Sequence, residues 1–142
     1  MNKQIKKLIQ LLKERKLDSY LIPSNDEFNK KYNNKSRLKY MTSFSGSYGV
    51  ALVTYSKCYF FTDGRYTKQA SEELDKDFQI INIRETPLET WLLAFISKGN
   101  KLGFDPKLHS IKQIQILEKN IQNKRLLIPI EENLVDLVES FL

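Results

Sequence analysis

Residues 3–16 place Ile5, Leu8, Ile9 and Leu12 at helical spacing, with lysines on the other face. That pattern predicts an amphipathic surface helix packed on a core. Ser19-Tyr20-Leu21-Ile22 reads as a short strand stopped by Pro23, and residues 24–36 as a polar loop or short helix. Arg37–Met41 reads as one more helical turn, and Ser45-Gly46-Ser47-Tyr48-Gly49 as a tight loop. Val50–Thr54 and Cys58–Phe61 are apolar and β-prone, and only Tyr55-Ser56-Lys57 separates them, so a β-hairpin is predicted. Thr62-Asp63-Gly64 is expected to open a helix, with Asp63 as N-cap and Tyr66, Ala70 and Leu74 on one face.

Phe78–Ile83 reads as a strand. Thr86-Pro87-Leu88-Glu89 carries the signature of a helix start: Thr86 as N-cap, Pro87 as first residue, Glu89 as capping acid. Leu88, Trp91, Leu92, Phe95 and Ile96 would form its apolar face, with Trp91 in the core, and Gly99 its stop. Lys101–Phe104 follows as a short strand. Ser110 caps a helix bearing Ile111, Ile114, Leu117 and Ile121. Arg125–Ile130 is the last strand and Leu134–Phe141 the last helix. Strands and helices alternate without an internal repeat or linker. The expected class is α/β: one three-layer domain over residues 1–142, with a mixed, mostly parallel sheet containing one antiparallel hairpin and helices on both faces.

Composition changes little. The 41% hydrophobic and 28% charged fractions are ordinary globular values. The net charge of +6 raises a nucleic-acid reading. The excess is mostly Lys spread along the chain, without a recognition motif, so a solvated surface is expected and no nucleic-acid partner. A single cysteine, Cys58, excludes an internal disulfide and fits a reducing, cytoplasmic setting. No signal-peptide core and no apolar run near the ~20 residues of a membrane span is present, so no membrane partner is expected.

Candidate chemistry is sparse. His109 is the sole histidine, so a Ser–His–Asp set could use no other base, and no His/Cys metal cluster can form with Cys58. No catalytic and no metal-ligating residue is expected in this chain. Ser45-Gly46-Ser47 lacks the order of a nucleophile elbow, and Ser47 is expected to bond nearby backbone in the turn. Gly46 and Gly49 are too close for a Walker or Rossmann loop. Asp63-Gly64-Arg65-Tyr66 stands out, because an Arg in the first turn of a helix opposes the macrodipole. It is either aimed outward at a carboxylate or carbonyl, or salt-bridged to Asp63 or a nearby Glu.

The stretch Arg37–Gly49 with its Phe44-Ser45-Gly46-Ser47-Tyr48-Gly49 loop, two strands, then Thr62-Asp63-Gly64-Arg65-Tyr66, resembles the N-terminal domain of the Xaa-Pro aminopeptidase (aminopeptidase P) family. The wider group holds prolidase and creatinase. Thr86-Pro87 with Trp91-Leu92, Gly103-Phe104-Asp105-Pro106 and Glu132-Asn133-Leu134-Val135-Asp136 extend the resemblance to Val138. It implies a non-catalytic domain serving assembly of an enzyme that releases an N-terminal residue preceding proline. Two divalent metals, usually manganese, would be held by a C-terminal catalytic domain absent from this chain. The implied partners are that domain and, through it, an Xaa-Pro peptide; a homo-oligomer is left open. Arg65 is the residue that the resemblance offers as a substrate contact, with Asp63, Gly64, Tyr66, Gly46, Ser47 and Gly49 as motif positions. Phe28 stands where the family has a His, and Lys31 where it has an acid. The family continues past Val138 with a Trp and an Arg-Pro linker, whereas this chain reads Glu139-Ser140-Phe141-Leu142, leaving open a fragment, a short gene product or a remnant. A free-standing protein-binding module that has lost its enzyme is the alternative.

Overall fold

The computed structural model describes residues 1–24 and 36–142. The positions of Phe28 and Lys31, and the loop or short helix expected over most of residues 24–36, lie outside the described residues. Helix α1 (Lys3–Glu14) buries Ile5, Leu8, Ile9, Leu11 and Leu12, and Asn2 caps it by accepting from the Ile5 N–H. It ends on Lys16 in the left-handed region (φ 57°), and the Leu17 N–H closes back on the Leu12 carbonyl at 2.9 Å. This is the Schellman closure that usually recruits Gly.

The remaining elements are strand β1 (Ser19–Pro23), helix α2 (Arg37–Thr42), β2 (Val50–Thr54), β3 (Cys58–Thr62), α3 (Thr67–Glu73) and β4 (Phe78–Asn82). Then come α4 (Leu88–Ser97), β5 (Leu102–Phe104), α5 (Ile111–Asn120), β6 (Leu127–Pro129) and α6 (Leu134–Phe141). The six strands form one sheet in the order β4-β3-β2-β1-β5-β6. Pairs β3–β4, β1–β5 and β5–β6 are parallel, and β2 runs antiparallel to both β3 and β1. The expected α/β class stands, with one addition: β1–β2 is a second antiparallel pair beside the β2–β3 hairpin.

Strand alternation sends side chains to two cores. Tyr20, Ile22, Ala51, Val53 and Phe60 face α1, α2 and α6. Leu21, Val50, Leu52 and Phe61 face α4 and α5. Buried polar bonds lock the first face. The Asn133 amide donates to fully buried Asp105 at 2.9 Å while its oxygen caps α6. The Tyr20 hydroxyl accepts from the Leu134 N–H, and Arg37 grips Asp136 through Nε at 2.8 Å and Nη2 at 2.9 Å.

Local expectations needed correction at several points. The helix after Asp63 begins at Thr67, because residues 63–66 form a turn closed by the Tyr66 N–H on the Asp63 carbonyl at 3.0 Å. Asp63 is therefore no N-cap, and Arg65 lies before the helix. Thr86 does not cap α4. The Glu85 and Thr86 N–H groups are still turning back to the Asn82 carbonyl, and Pro87 takes the cap position without a side-chain bond. Ile111 is 78% exposed. It opens α5, in which only Leu117 is buried. The last strand shortens to Leu127–Pro129, after a 3₁₀ turn over Lys124–Leu126. Trp91 is half-buried rather than fully inside.

Candidate functional site

The loop Phe44–Gly49 and the turn Asp63–Tyr66 meet at one end of the sheet and form a single platform. Phe44 is its floor. Its ring lies 4.7 Å from that of Phe60 and meets Tyr66 edge-on at 6.2 Å. The two loop glycines are required by contact rather than by backbone angle. A Cβ on Gly46 would come within 2.4 Å of the Phe44 ring, and one on Gly49 within 2.3 Å of the Phe60 ring. At Gly64 the nearest atom would be 3.7 Å away, so that position has room for a side chain.

Side chains far apart in sequence pin the loop. The Glu73 carboxylate, at the end of α3, accepts from the Ser45 N–H at 2.9 Å and the Ser45 hydroxyl at 2.6 Å. Gln69 donates to both Ser45 Oγ and Glu73. These bonds, led by the Ser45 hydroxyl, hold the Glu73 carboxyl below the usual range. The Ser47 hydroxyl pairs with that of Tyr66, joining loop to turn, instead of bonding nearby backbone as the sequence led one to expect. Thr62 Oγ1 donates to the Tyr48 carbonyl at 2.7 Å.

On this platform sits Arg65. Its guanidinium donates to Asp63 through Nε at 3.0 Å and Nη2 at 2.9 Å, and lies 5.1 Å from the Tyr66 ring centroid. Asp63 also accepts from the Arg65 N–H at 2.9 Å. The guanidinium bonding lowers the Asp63 carboxyl and raises Arg65 itself. The salt-bridge reading of Arg65 is thus present in the structure. It does not occupy the whole group. The side chain is 73% exposed against 15% for Asp63, and a guanidinium has five donors in a fork. The outer edge can meet a carboxylate or carbonyl while the inner edge stays on Asp63.

The structure therefore brings together all seven motif residues: Gly46, Ser47, Gly49, Asp63, Gly64, Arg65 and Tyr66. Glu73 and Gln69 were missed, because no local pattern links residues 28 and 24 positions from Ser45. His109 and Cys58 stand apart from one another. Cys58 is buried on β3, and burial pushes its thiol up to about 11, the state of an inert side chain. His109 sits edge-on to Phe104 at 5.8 Å, and burial lowers its pKa. Among the described residues, no three His, Cys, Asp or Glu side chains are placed to hold a metal ion. The platform can bind and orient.

The family model for the creatinase/prolidase N-terminal domain matches residues 4–138. The chain is 37% identical over 135 residues to human Xaa-Pro aminopeptidase 2, covering 92% of this chain and 20% of that protein. It is 34% identical over 142 residues to a probable Xaa-Pro aminopeptidase P of Aspergillus fumigatus, covering 96% and 22%. Among solved structures, the X-prolyl aminopeptidase of Caenorhabditis elegans, described as a cytosolic enzyme with a di-nuclear active site, matches at TM-score 0.76 and 28% identity. That match covers 96% of this chain and 25% of the other. The N-terminal domain of a cytoplasmic peptidase from Mycobacterium tuberculosis matches at TM-score 0.70 and 24% identity, covering 99% and 98%, which shows the fold. The chain spans about a fifth of the length of its curated relatives and aligns to their N-terminal part.

Proposed function

The chain belongs to the creatinase/prolidase N-terminal domain family, and we propose that it serves as the non-catalytic N-terminal domain of a cytoplasmic, metal-dependent Xaa-Pro aminopeptidase. Its work is assembly with the catalytic part and recognition of the peptide at the rim of that active site. The observation that carries this reading is the alignment of nearly the whole chain to the N-terminal fifth of larger aminopeptidases. That alignment does not favour the free-standing module. The two divalent metals, manganese on the family resemblance, belong to the catalytic part. The described residues of this chain do not fit them. No described helix is long and apolar enough to cross a membrane, and the cytoplasmic setting rests on the relative described as cytosolic.

Arg65 is the substrate contact in this reading. The Tyr66 ring lies beside its guanidinium, Asp63 holds its inner edge, and the exposed edge grips a peptide carbonyl or carboxylate. The fork is planar and bidentate, so Lys does not replace it. In the full-length aminopeptidase, Arg65→Ala should lower kcat/KM about ten- to hundredfold, the cost of one charge-assisted hydrogen bond. Arg65→Lys should not restore it, and the melting temperature should stay within a degree or so, because the Arg65 side chain is mostly in water. Unchanged kinetics with a clear drop in melting temperature would make Arg65 a structural partner of Asp63 alone. The 142-residue chain by itself should release no amino acid from Xaa-Pro peptides with or without manganese, and turnover above a buffer blank would refute the non-catalytic assignment.

A further inference from the structure

We propose that the crevice between α4, α5 and the sheet is a binding site for a small, neutral, apolar molecule bearing one hydroxyl. The site adjoins the Arg65 platform through Tyr48 but does not rest on the aminopeptidase reading.

Topology makes the crevice. Strands β1 and β5 are parallel neighbours. Among the described residues, α2 is the next element after β1, and its Leu38 and Met41 belong to the core under α1. The chain leaving β5 reaches α5, whose Leu117 belongs to the opposite core. Adjacent parallel strands whose following helices go to opposite faces leave an opening at their carboxyl ends, the usual ligand position in open α/β sheets. A cavity of ≈ 240 Å³ lies there, bounded by Pro23 and Ser24 at the end of β1 and by Phe104 at the end of β5.

Its walls define the guest. Leu21, Leu92, Leu102 and Leu117 make them mainly apolar. A dry apolar cavity of about 150 Å³ takes up benzene, so this one holds a substituted ring or branched chain of somewhat larger size. The polar groups on the wall are Ser24, Tyr48, Glu89, Gln113 and His109. Burial keeps the Tyr48 phenol protonated and the His109 imidazole neutral, so no cationic wall group faces an anion. Glu89 repels a carboxylate. His109 Nε2 is buried and has no hydrogen-bond partner. A guest that turns this ring slightly gains a hydrogen bond and breaks none. A hydroxyl can both donate and accept, so it satisfies either imidazole tautomer.

The probe is 4-methylphenol, titrated into the isotopically labelled chain and followed by amide and imidazole NMR shifts. Saturable binding near ~1 mM or tighter is expected, a modest efficiency for so few atoms. The shifts should centre on Leu92, Phe104 and Leu117 and include the His109 nitrogens. Toluene should bind about three- to tenfold more weakly, the factor of one hydrogen bond, and 4-methylbenzoate should not saturate. His109→Phe should remove the preference for the phenol over toluene, and Leu117→Trp should fill the cavity and abolish binding of both. Thermal melts of the two variants establish that they are folded. No saturable shift at the cavity, or binding that both folded variants leave unchanged, would overturn the proposal, as would tighter binding of the benzoate.

Discussion

The two faces of the sheet are covered by different means. Under α1, α2 and α6, Ile5, Leu8, Leu12, Met41, Leu134 and Val138 are at or below 2% exposure, and charged groups such as Arg37–Asp136 tie helices together across the seam. Under α4 and α5 the cover is thinner. Of α4's ten residues, only Leu92 and Ile96 are buried, although Leu88, Trp91, Leu93 and Phe95 are also apolar. The helix has no side-chain cap, Ile111 is exposed to solvent, and a cavity remains beneath. A helix apolar nearly all round normally lies inside a protein. The difference separates the face that holds the fold from the face with surface to spare for a ligand or neighbour.

The sharpest way to test that contrast is to truncate one large side chain on each face to alanine. Leu8→Ala on the closed face should cost ~3–5 kcal/mol, because the site is fully enclosed and cannot collapse. Trp91→Ala on the open face should cost only about 1–2 kcal/mol, although more atoms are lost. The Trp91 ring touches Tyr59 at 4.6 Å, Phe61 at 5.1 Å and Phe95 at 5.4 Å, yet is partly in water already. A fully buried Trp would cost ~3–5 kcal/mol. Chemical denaturation gives both values, and equal losses would erase the distinction between the faces.

The same contrast shows what was readable in the chain. Two apolar, β-prone runs split by Tyr55-Ser56-Lys57 placed β2 and β3, and Ser110 with Gln113 forms a full capping box at the start of α5. These are local devices, written in neighbouring residues. The β1–β2 pairing, the Glu73–Ser45 clamp and the Asp105–Asn133 bond join positions far apart, and no spacing rule exposes them. Two local signals also misled. Asp63 has the chemistry of an N-cap but spends its carboxylate on the Arg65 N–H and guanidinium, delaying the helix to Thr67. Lys16 adopts the left-handed angle that marks a stop without the glycine that usually announces one. The candidate site was legible as a motif, because the contacts at Gly46 and Gly49 demand glycine. Its fastening to α3 was not.

The platform abuts the closed face through Phe44 and Phe60, which sharpens the comparison at single-methyl resolution. Gly49→Ala should cost ~1–3 kcal/mol, since the added carbon falls 2.3 Å from a Phe60 ring that has nowhere to move. Gly64→Ala should fall within about 0.5 kcal/mol of neutral, as a surface change without strain. Paired melting curves check this. A costly Gly64→Ala would mean that the turn needs glycine for a reason other than space.

The smallest expected effect is a pH dependence on the open face. Burial lowers the His109 pKa, with the charge of Asp105 opposing this in part. The unfolded chain, with an ordinary imidazole near ~6.5, therefore binds the proton more readily than the folded one. Stability rises with pH wherever the unfolded state holds more protons, so the His109 contribution is present above ~6.5 and fades as pH falls from there toward the lowered folded value. Glu73 and Asp63 are also lowered, but from carboxylate values, so their losses begin only below about pH 4.5. Between about pH 7.5 and 5.5, His109 should thus account for most of the change, a few degrees of melting temperature at most. His109→Phe should flatten the curve in that window and leave the steeper fall below about pH 4.5 in place. A variant that keeps the full slope between about pH 7.5 and 5.5 would show that protonation of His109 costs the fold nothing. The open face would then be loose enough to hydrate a charged imidazole.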